Sequence, residues 1–320
     1  MAKIGIVGCG GIGLRHLAAY EANGVKVSTV ADNDKERAKA LGEKLDVSWY
    51  GSAEEMFDAQ DLDGVSICVP PIAHAPISIE ALKRNINVIC EKPLVRNMEE
   101  GYKILEALMD SNAIFMVGFC HRFHPPIIEM KKLIDSGKLG RVELFHNQFS
   151  GEMKDLASKW FSSKEIGGGG SIIDTSIHSI DIFRYLVGDI SDVSGFGTIS
   201  ISGVEVENTA SMLLRSTSGA IGTISASWAT PRGAAIVEIY GSEGTCIYDY
   251  VTNELKISTR EEPQWKVLYH EGPDRFAAEI KEFLECIREG RKPSVNIIDG
   301  LKAIEAVQKV YMNDSAISKA

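Results

Sequence analysis

The sequence predicts an α/β fold: a doubly wound parallel sheet followed by an α+β domain with an antiparallel sheet. Three observations carry this expectation. Short β-branched runs alternate with helical segments over the first 120 or so residues, and the first of those runs leads directly into a glycine turn. Beyond about residue 190, short strand-like runs separated by Gly, Asn or Ser take over.

The opening strand, 3–7, passes into Gly8-Cys9-Gly10-Gly11-Ile12-Gly13, and a helix is expected over 14–21. In that order of strand, turn and helix, G-x-G-x-x-G is the signature of a dinucleotide site. Gly8 permits the tight turn, Gly10 lets the backbone approach a pyrophosphate, and Gly13 lets the helix pack close to the strand. The loop, with Gly11 and Ile12, then presents helix N–H groups to phosphate. A second strand, 25–31, ends in Asp32, 19 residues after Gly13. That is the spacing at which a carboxylate hydrogen-bonds the adenosine ribose. A negative charge there disfavours a 2′-phosphate, and Asn33 rather than Arg follows, so NAD is expected over NADP. Arg37, one helical turn further on, leaves dual use open.

Asp34 can cap a helix to Leu45, and 48–50 reads as a short strand. Ser52 and Glu55 form an S-x-x-E capping box. The nearly continuous apolar run 64–69 is the form a strand takes when both faces of a parallel sheet are covered. Pro70-Pro71 stops it, a helix follows over 75–84, and 87–90 is the next strand. Asn97, with Glu100, caps a helix to Ser111, and 114–118 is a further strand. The pattern then changes, placing a dinucleotide domain at 1–121 and an α+β domain at 122–320. The latter begins with a helix over 126–136 and a strand over 141–149. After Gly167-Gly168-Gly169-Gly170, Ser171 can cap a helix over 172–187. Along 221–228, Ile224, Ala226 and Trp228 alternate with Thr223, Ser225 and Ser227. Strands are expected at 234–240, 245–249, 254–259 and 265–270, and helices over 275–289 and 299–311.

Lys plus Arg number 34 against 44 Asp plus Glu, a net charge of −10, and no local basic stripe offsets it. Phosphate-backbone binding is therefore not expected. The six cysteines are scattered without a C-x-x-C pair, which fits reduced thiols in the cytoplasm. The first strand begins near residue 3, so no signal peptide is expected, and no apolar run has membrane-spanning length.

A dinucleotide-dependent alcohol oxidation needs a base for the hydroxyl proton and a group that steadies the developing negative oxygen. Asp174 and His178 stand at i and i+4 of the expected helix, where an acid can orient an imidazole. Lys92 follows a buried strand at the carboxyl edge of the sheet, where ligands bind in open α/β folds. By spacing alone, His178 reads as well as a structural histidine and Lys92 as a surface-loop lysine. His121-Arg122-Phe123-His124 has H-x-x-H spacing, yet no neighbouring Cys or acid completes a tetrahedral set, so no metal is expected.

The sequence resembles the glucose–fructose oxidoreductase / inositol dehydrogenase / MocA (Gfo/Idh/MocA) family of sugar and cyclitol dehydrogenases. The motifs are Gly8-x-Gly10-x-x-Gly13, Val69-Pro70-Pro71-Ile72-Ala73-His74, Glu91-Lys92-Pro93 and Gly118-Phe119-x-x-Arg122-Phe123. Further on come Gly168-Gly169-Gly170-x-x-x-Asp174-x-x-x-His178-x-x-Asp181 and Gly241-Ser242-Glu243-Gly244. The resemblance implies a Rossmann domain and an open-sheet domain, with nicotinamide and substrate meeting between them. It makes Lys92, Asp174 and His178 the catalytic set and gives Glu91 a contact to the nicotinamide ribose or the orienting of the lysine. Pro70 and His74 line the cofactor groove, although Pro70-Pro71 is equally an ordinary strand stop. Arg122 stands beside the substrate or carboxamide, Trp160 faces a ligand or fills a core, and Asp181 is a structural hydrogen-bonder. The implied activity is NAD-dependent hydride transfer at a secondary hydroxyl of a sugar, inositol or nucleotide sugar, by a homodimer or homotetramer assembled through the second sheet. An NAD-dependent glycosidase with transient sugar oxidation and a non-catalytic dinucleotide sensor are the competing readings.

Overall fold

A computed structural model describes residues 2–268 and 272–314. The first elements are β1 (Ile4–Val7), α1 (Gly11–Ala22), β2 (Val27–Ala31), α2 (Lys35–Leu45), β3 (Ser48–Tyr50) and α3 (Ala53–Ala59). They are followed by β4 (Gly64–Ile67), α4 (His74–Lys83), β5 (Asn87–Glu91), α5 (Met98–Met109) and β6 (Phe115–Gly118). Next come α6 (Pro125–Asp135), β7 (Val142–Ser150) and the short helices α7 (Lys164–Gly167) and α8 (Ser171–Asp174), then α9 (Ser176–Leu186). The strands β8 (Ile190–Thr198), β9 (Thr209–Ser216), β10 (Ile221–Ser227), β11 (Ala235–Gly241), β12 (Gly244–Asp249), β13 (Glu254–Thr259) and β14 (Lys266–Leu268) lead to α10 (Arg275–Glu289) and α11 (Ile297–Asn313). The strand expected over 265–270 is observed as β14; Tyr269 and His270 lie outside the described residues.

Two compact units result: Met1–Cys120 with Pro273–Lys302, and His121–Gly272 with Ala303–Ala320. This division differs from a single boundary at 121/122 in one respect. Residues 273–302 return to the first unit, and α10 packs against α1, where Asn23 Nδ2 donates to the Ala277 carbonyl at 2.8 Å. Sequence order gives no warning of this, because amphipathicity says which face is buried and not against what.

The first unit holds six parallel strands in the order β3-β2-β1-β4-β5-β6. Ile4, Ile6, Val65, Ile67, Val88 and Ile89 are fully buried, as expected of strands covered on both faces. Each such side chain contributes about 1.5–3 kcal/mol relative to exposure. Strand order reverses between β1 and β4, which places the ligand crevice at their carboxyl ends. The turn there is sterically fixed. Gly8 has φ +98°, and a Cβ on Gly13 would lie 1.8 Å from the Gly8 carbonyl oxygen. Both glutamates of the expected capping boxes do reach back, but one residue further than the motif requires. Glu55 accepts from Gly51 N–H and Glu100 from Arg96 N–H, while Ser52 and Asn97 cap Glu55 and Glu100 in turn.

The second unit is an eight-stranded sheet, β14-β13-β12-β11-β7-β10-β9-β8. All its pairings are antiparallel except β7 with β10. The expected alternation along β10 holds in part: Ile224 and Ala226, with Trp228 just beyond, are buried and Thr223 is exposed, but Ser227 is buried as well, its hydroxyl 2.8 Å from Thr209 Oγ1.

Glu282 on α10 clasps the following loop, accepting from Arg291 Nη2 at 2.7 Å and from Ser294 N–H at 3.0 Å. The Arg291 hydrogen bond, against the effect of burial, holds the Glu282 carboxyl down at about 2. A carboxyl depressed on folding stabilises the protein above its unfolded-state value, and that contribution fades as pH falls towards the folded-state value. Glu282→Gln should therefore remove stability near neutral pH and flatten the acid limb between about pH 4.5 and about pH 2, as followed by thermal melts. An unchanged acid limb would show that the clasp does not contribute.

Candidate active site

In the first unit, the cofactor residues expected from sequence gather around the glycine turn. A Cβ on Gly10 or Gly11 would meet nothing within 4 Å, so the loop is open where backbone must approach a pyrophosphate. Gly10 caps α1 without any side-chain hydrogen bond, and Ile12 is 40% exposed at the same helix start. The residues present therefore fit a dinucleotide. Asp32 is buried at the end of β2; its Oδ2 accepts from Cys9 N–H at 2.7 Å and its Oδ1 from Asp34 N–H at 2.9 Å. Arg37 does not present an isolated positive charge, because it pairs with Asp32 at 3.4 Å and with Asp34 at 3.0 Å. Burial, reinforced by the Asp32 charge, pushes the Cys9 thiol up to about 12, so it stays protonated.

Pro70 is half-buried after β4 and Lys92 half-buried after β5. His74 is fully buried, with its ring nitrogens 2.8 Å from the Pro93 and Val69 carbonyl oxygens. Burial depresses its imidazole below the ordinary value against the pull of those carbonyls. It therefore straps the turn after β4 to the turn carrying Lys92 and offers little ring surface to a ligand. Glu91 also points inward. Its Oε1 lies 3.1 Å from His16 Nε2, and its Oε2 accepts the Lys92 N–H at 3.0 Å. Burial pushes the Glu91 carboxyl up, but His16 and Lys92 together bring it below the usual carboxylate value. Of the two roles the resemblance implies for Glu91, this geometry supports the orienting of the lysine.

In the second unit, the helix expected over 172–187 is two helices, α8 and α9, joined at Thr175. Side-chain hydrogen bonds converge on the junction residue. Trp228 Nε1 donates to Thr175 Oγ1 at 2.8 Å, and Thr175 Oγ1 donates to Asp174 Oδ2 at 3.4 Å. Asp174 thus ends one helix and His178 lies in the first turn of the next. The start of α8 is held by Glu207, which accepts from Ile172 N–H at 2.9 Å, Gly170 N–H at 3.2 Å and the Tyr311 hydroxyl at 3.0 Å. Burial raises its carboxyl above the ordinary value against these bonds. No local sequence signal marks Glu207, because its partners lie about 35 and 104 residues away.

His178 stands beside a second imidazole. The His121 ring is 4.6 Å from the His178 ring, and His121 Nδ1 shares a hydrogen bond of 2.7 Å with the Tyr250 hydroxyl. His124, the other member of the H-x-x-H pair, bonds the Tyr248 hydroxyl instead, also at 2.7 Å. Arg122 is tied to Asp181, which accepts from its Nε at 2.8 Å and its Nη2 at 2.5 Å, and its guanidinium lies over Tyr185. Asp181 has the structural role expected of it, and it holds Arg122 in the fold. Trp160 is half-buried and stacked on Phe161 at 3.8 Å.

These features define a Rossmann-type, NAD-binding oxidoreductase. Residues 2–119 match the family model for an oxidoreductase family with an NAD-binding Rossmann fold, and residues 127–247 match the C-terminal domain model of the same family. The chain belongs to the Gfo/Idh/MocA family. It is 30% identical to scyllo-inositol 2-dehydrogenase (NAD(+)) of Bacillus subtilis, with 93% of this chain and 91% of that protein covered. It is 29% identical to levoglucosan dehydrogenase of Pseudarthrobacter phenanthrenivorans, over 80% of this chain and 76% of that one. A structure of levoglucosan dehydrogenase in complex with NADH and levoglucosan superposes with a TM-score of 0.92 at 25% identity, covering 98% and 96% of the two chains.

Asp32→Ser tests the charge at the end of β2. Relief of a like-charge contact worth about 1–3 kcal/mol should raise the NADP-to-NAD ratio of kcat/KM by roughly 5- to 150-fold. A ratio unchanged from wild type would show that Asp32 does not set the preference.

Proposed function

We propose that this chain oxidises a secondary hydroxyl of a cyclic polyol, sugar or nucleotide sugar, with Lys92, Asp174 and His178 as the reacting set. The names of the inositol and levoglucosan dehydrogenases support this substrate class. The observation that carries the assignment is the placing of Lys92. It follows Glu91, whose carboxylate is pinned, at the carboxyl end of β5 in the sheet that bears the glycine turn. When bound, the nicotinamide supplies the acceptor for the hydride leaving the carbinol carbon. The Lys92 ammonium donates to the reacting oxygen and favours its alkoxide character. His178 takes the hydroxyl proton, and Asp174, steadied by Thr175, orients the acceptor or carries the proton on. Gly8, Gly10, Gly11, Ile12, Gly13, Asp32 and Pro70 hold the dinucleotide, with His74 and Glu91 supporting from beneath. Trp160 is assigned to the substrate side.

The open face of the second sheet supports assembly into a homodimer or homotetramer. Leu213 on β9, 51% exposed, and Phe196 on the adjacent β8, 78% exposed, stand on that sheet, with Leu144, also 51% exposed, on β7 beyond the intervening β10. No described helix is long and apolar enough to cross a membrane. The six unpaired cysteines support a reducing, cytoplasmic setting.

An NAD-linked screen over inositols, aldoses and nucleotide sugars should find a substrate. With it, Lys92→Ala should lower kcat/KM by roughly 10²–10³ and His178→Ala by roughly 10²–10⁴, with NADH still bound in fluorescence titrations. Wild-type turnover by Lys92→Ala would remove the assignment. Light scattering should give a dimer or tetramer, and Phe196→Glu with Leu213→Lys should dissociate it; a monomeric wild type would refute the sheet interface.

A further inference from the structure

Beneath the Lys92 turn lies a polar chain in the interior of the Rossmann unit. His16 and Tyr20 on α1, Ser66 on β4 and Glu91 on β5 are all buried, His16 and Ser66 completely. The Tyr20 hydroxyl is 2.8 Å from Ser66 Oγ, which is 3.1 Å from His16 Nδ1; His16 Nε2 is 3.1 Å from Glu91 Oε1. An ionised carboxylate only accepts, so His16 Nε2 carries the proton and donates to Glu91. With the imidazole neutral, His16 Nδ1 accepts from Ser66, and Ser66 accepts from Tyr20, whose phenol burial keeps protonated. Glu91 finally accepts the Lys92 N–H with its other oxygen.

We propose that His16 is a positioning residue for Lys92, acting through Glu91, so that α1 sets both the dinucleotide turn and the location of the ammonium. Three observations support it. Burying a histidine and a glutamate costs stability unless every polar atom is satisfied, and here each bond of the chain has one polarity. The strand beside Glu91 is cut back to make room: a Cβ on Gly118 would lie 3.2 Å from Glu91 Cδ and 3.3 Å from its Oε1. His16 also follows Gly13 by three residues, so the steric fixing of the glycine turn fixes the imidazole. Glu279 of α10 completes a buried group in which one ligand atom each from His16, Glu91 and Glu279 lie within 4.8 Å of one another. Both ring nitrogens of His16 already have hydrogen-bonding neighbours, which favours the chain over a cation at this place.

The inference rests on Lys92 acting in turnover, and the variants separate the two. An Asn amide can replace Nδ1 but not reach Glu91, whereas a Gln amide can replace Nε2. His16→Asn should lower kcat roughly 10- to 100-fold, with KM for NAD and NADH binding near wild type, while His16→Gln recovers most of the loss. Glu91→Gln should lower kcat similarly, and His16→Asn with Glu91→Gln should be no worse than either alone. Wild-type kcat in His16→Asn, multiplying losses in the double variant, or a stoichiometric metal lost in His16→Asn would overturn the proposal. Should His16→Asn not fold, Glu91→Gln decides: a kcat loss supports it, and unchanged kcat overturns it. Lys92→Ala at wild-type rate would overturn this proposal and the parent reading together; an inactive Lys92→Ala beside a normal His16→Asn would overturn this one alone.

Discussion

The contact on which the first unit depends is the approach of Gly13 to the Gly8 carbonyl. There is no room for a side chain between them, so α1 lies hard against the end of β1. Gly10 at its start leaves the N-terminal turn without a side-chain cap and open for phosphate, and the helix brings His16 and Tyr20 beside Ser66 and Glu91. In the proposal above, the dinucleotide turn and the setting of Lys92 thus share one helix.

The two units solve the problem of holding polar groups in different ways. In the first, buried side chains bind the backbone of the loops that carry the chemistry: Asp32 holds Cys9, Glu91 holds Lys92, and His74 bridges Val69 and Pro93. In the second, Glu207 and Trp228 hold a helix start and a helix break. Glu207 binds the N–H groups at the start of α8, and Trp228 fixes Thr175 where α8 gives way to α9. In both, buried side chains fix backbone near the proposed chemistry, several of them from far along the chain: Asp32 is 23 residues from Cys9, and Trp228 is 53 from Thr175.

Much of the fold was legible in advance because its signals are local. Apolar strand runs, glycine spacing and the capping residues Asp34, Ser52 and Asn97 act within a few residues of one another, and these three caps are observed; the cap expected at Ser171 is not, because Gly170 holds the N-cap position of α8. The tie between Thr175 and the Trp228 indole was not legible, since the two stand 53 residues apart. Nor was the placing of Arg122, whose guanidinium meets Asp181 across 59 residues of sequence. The inward turn of His74 and Glu91 was likewise hidden. Motif spacing specifies the residue types present at a site, and it does not specify which way a side chain turns at the end of a strand.

The sequence by itself determined the alternation of strands and helices, the glycine turn, the acid at the end of β2 and the candidate reacting residues. Periodicity, sterics and short-range hydrogen bonding act on neighbours in the chain. Only the tertiary structure decided that residues 273–302 return to the Rossmann unit, that β7 and β10 pair in parallel, and that His16 stands under the lysine turn. These are contacts between segments far apart along the chain, chosen by which buried surfaces and polar groups can satisfy one another together.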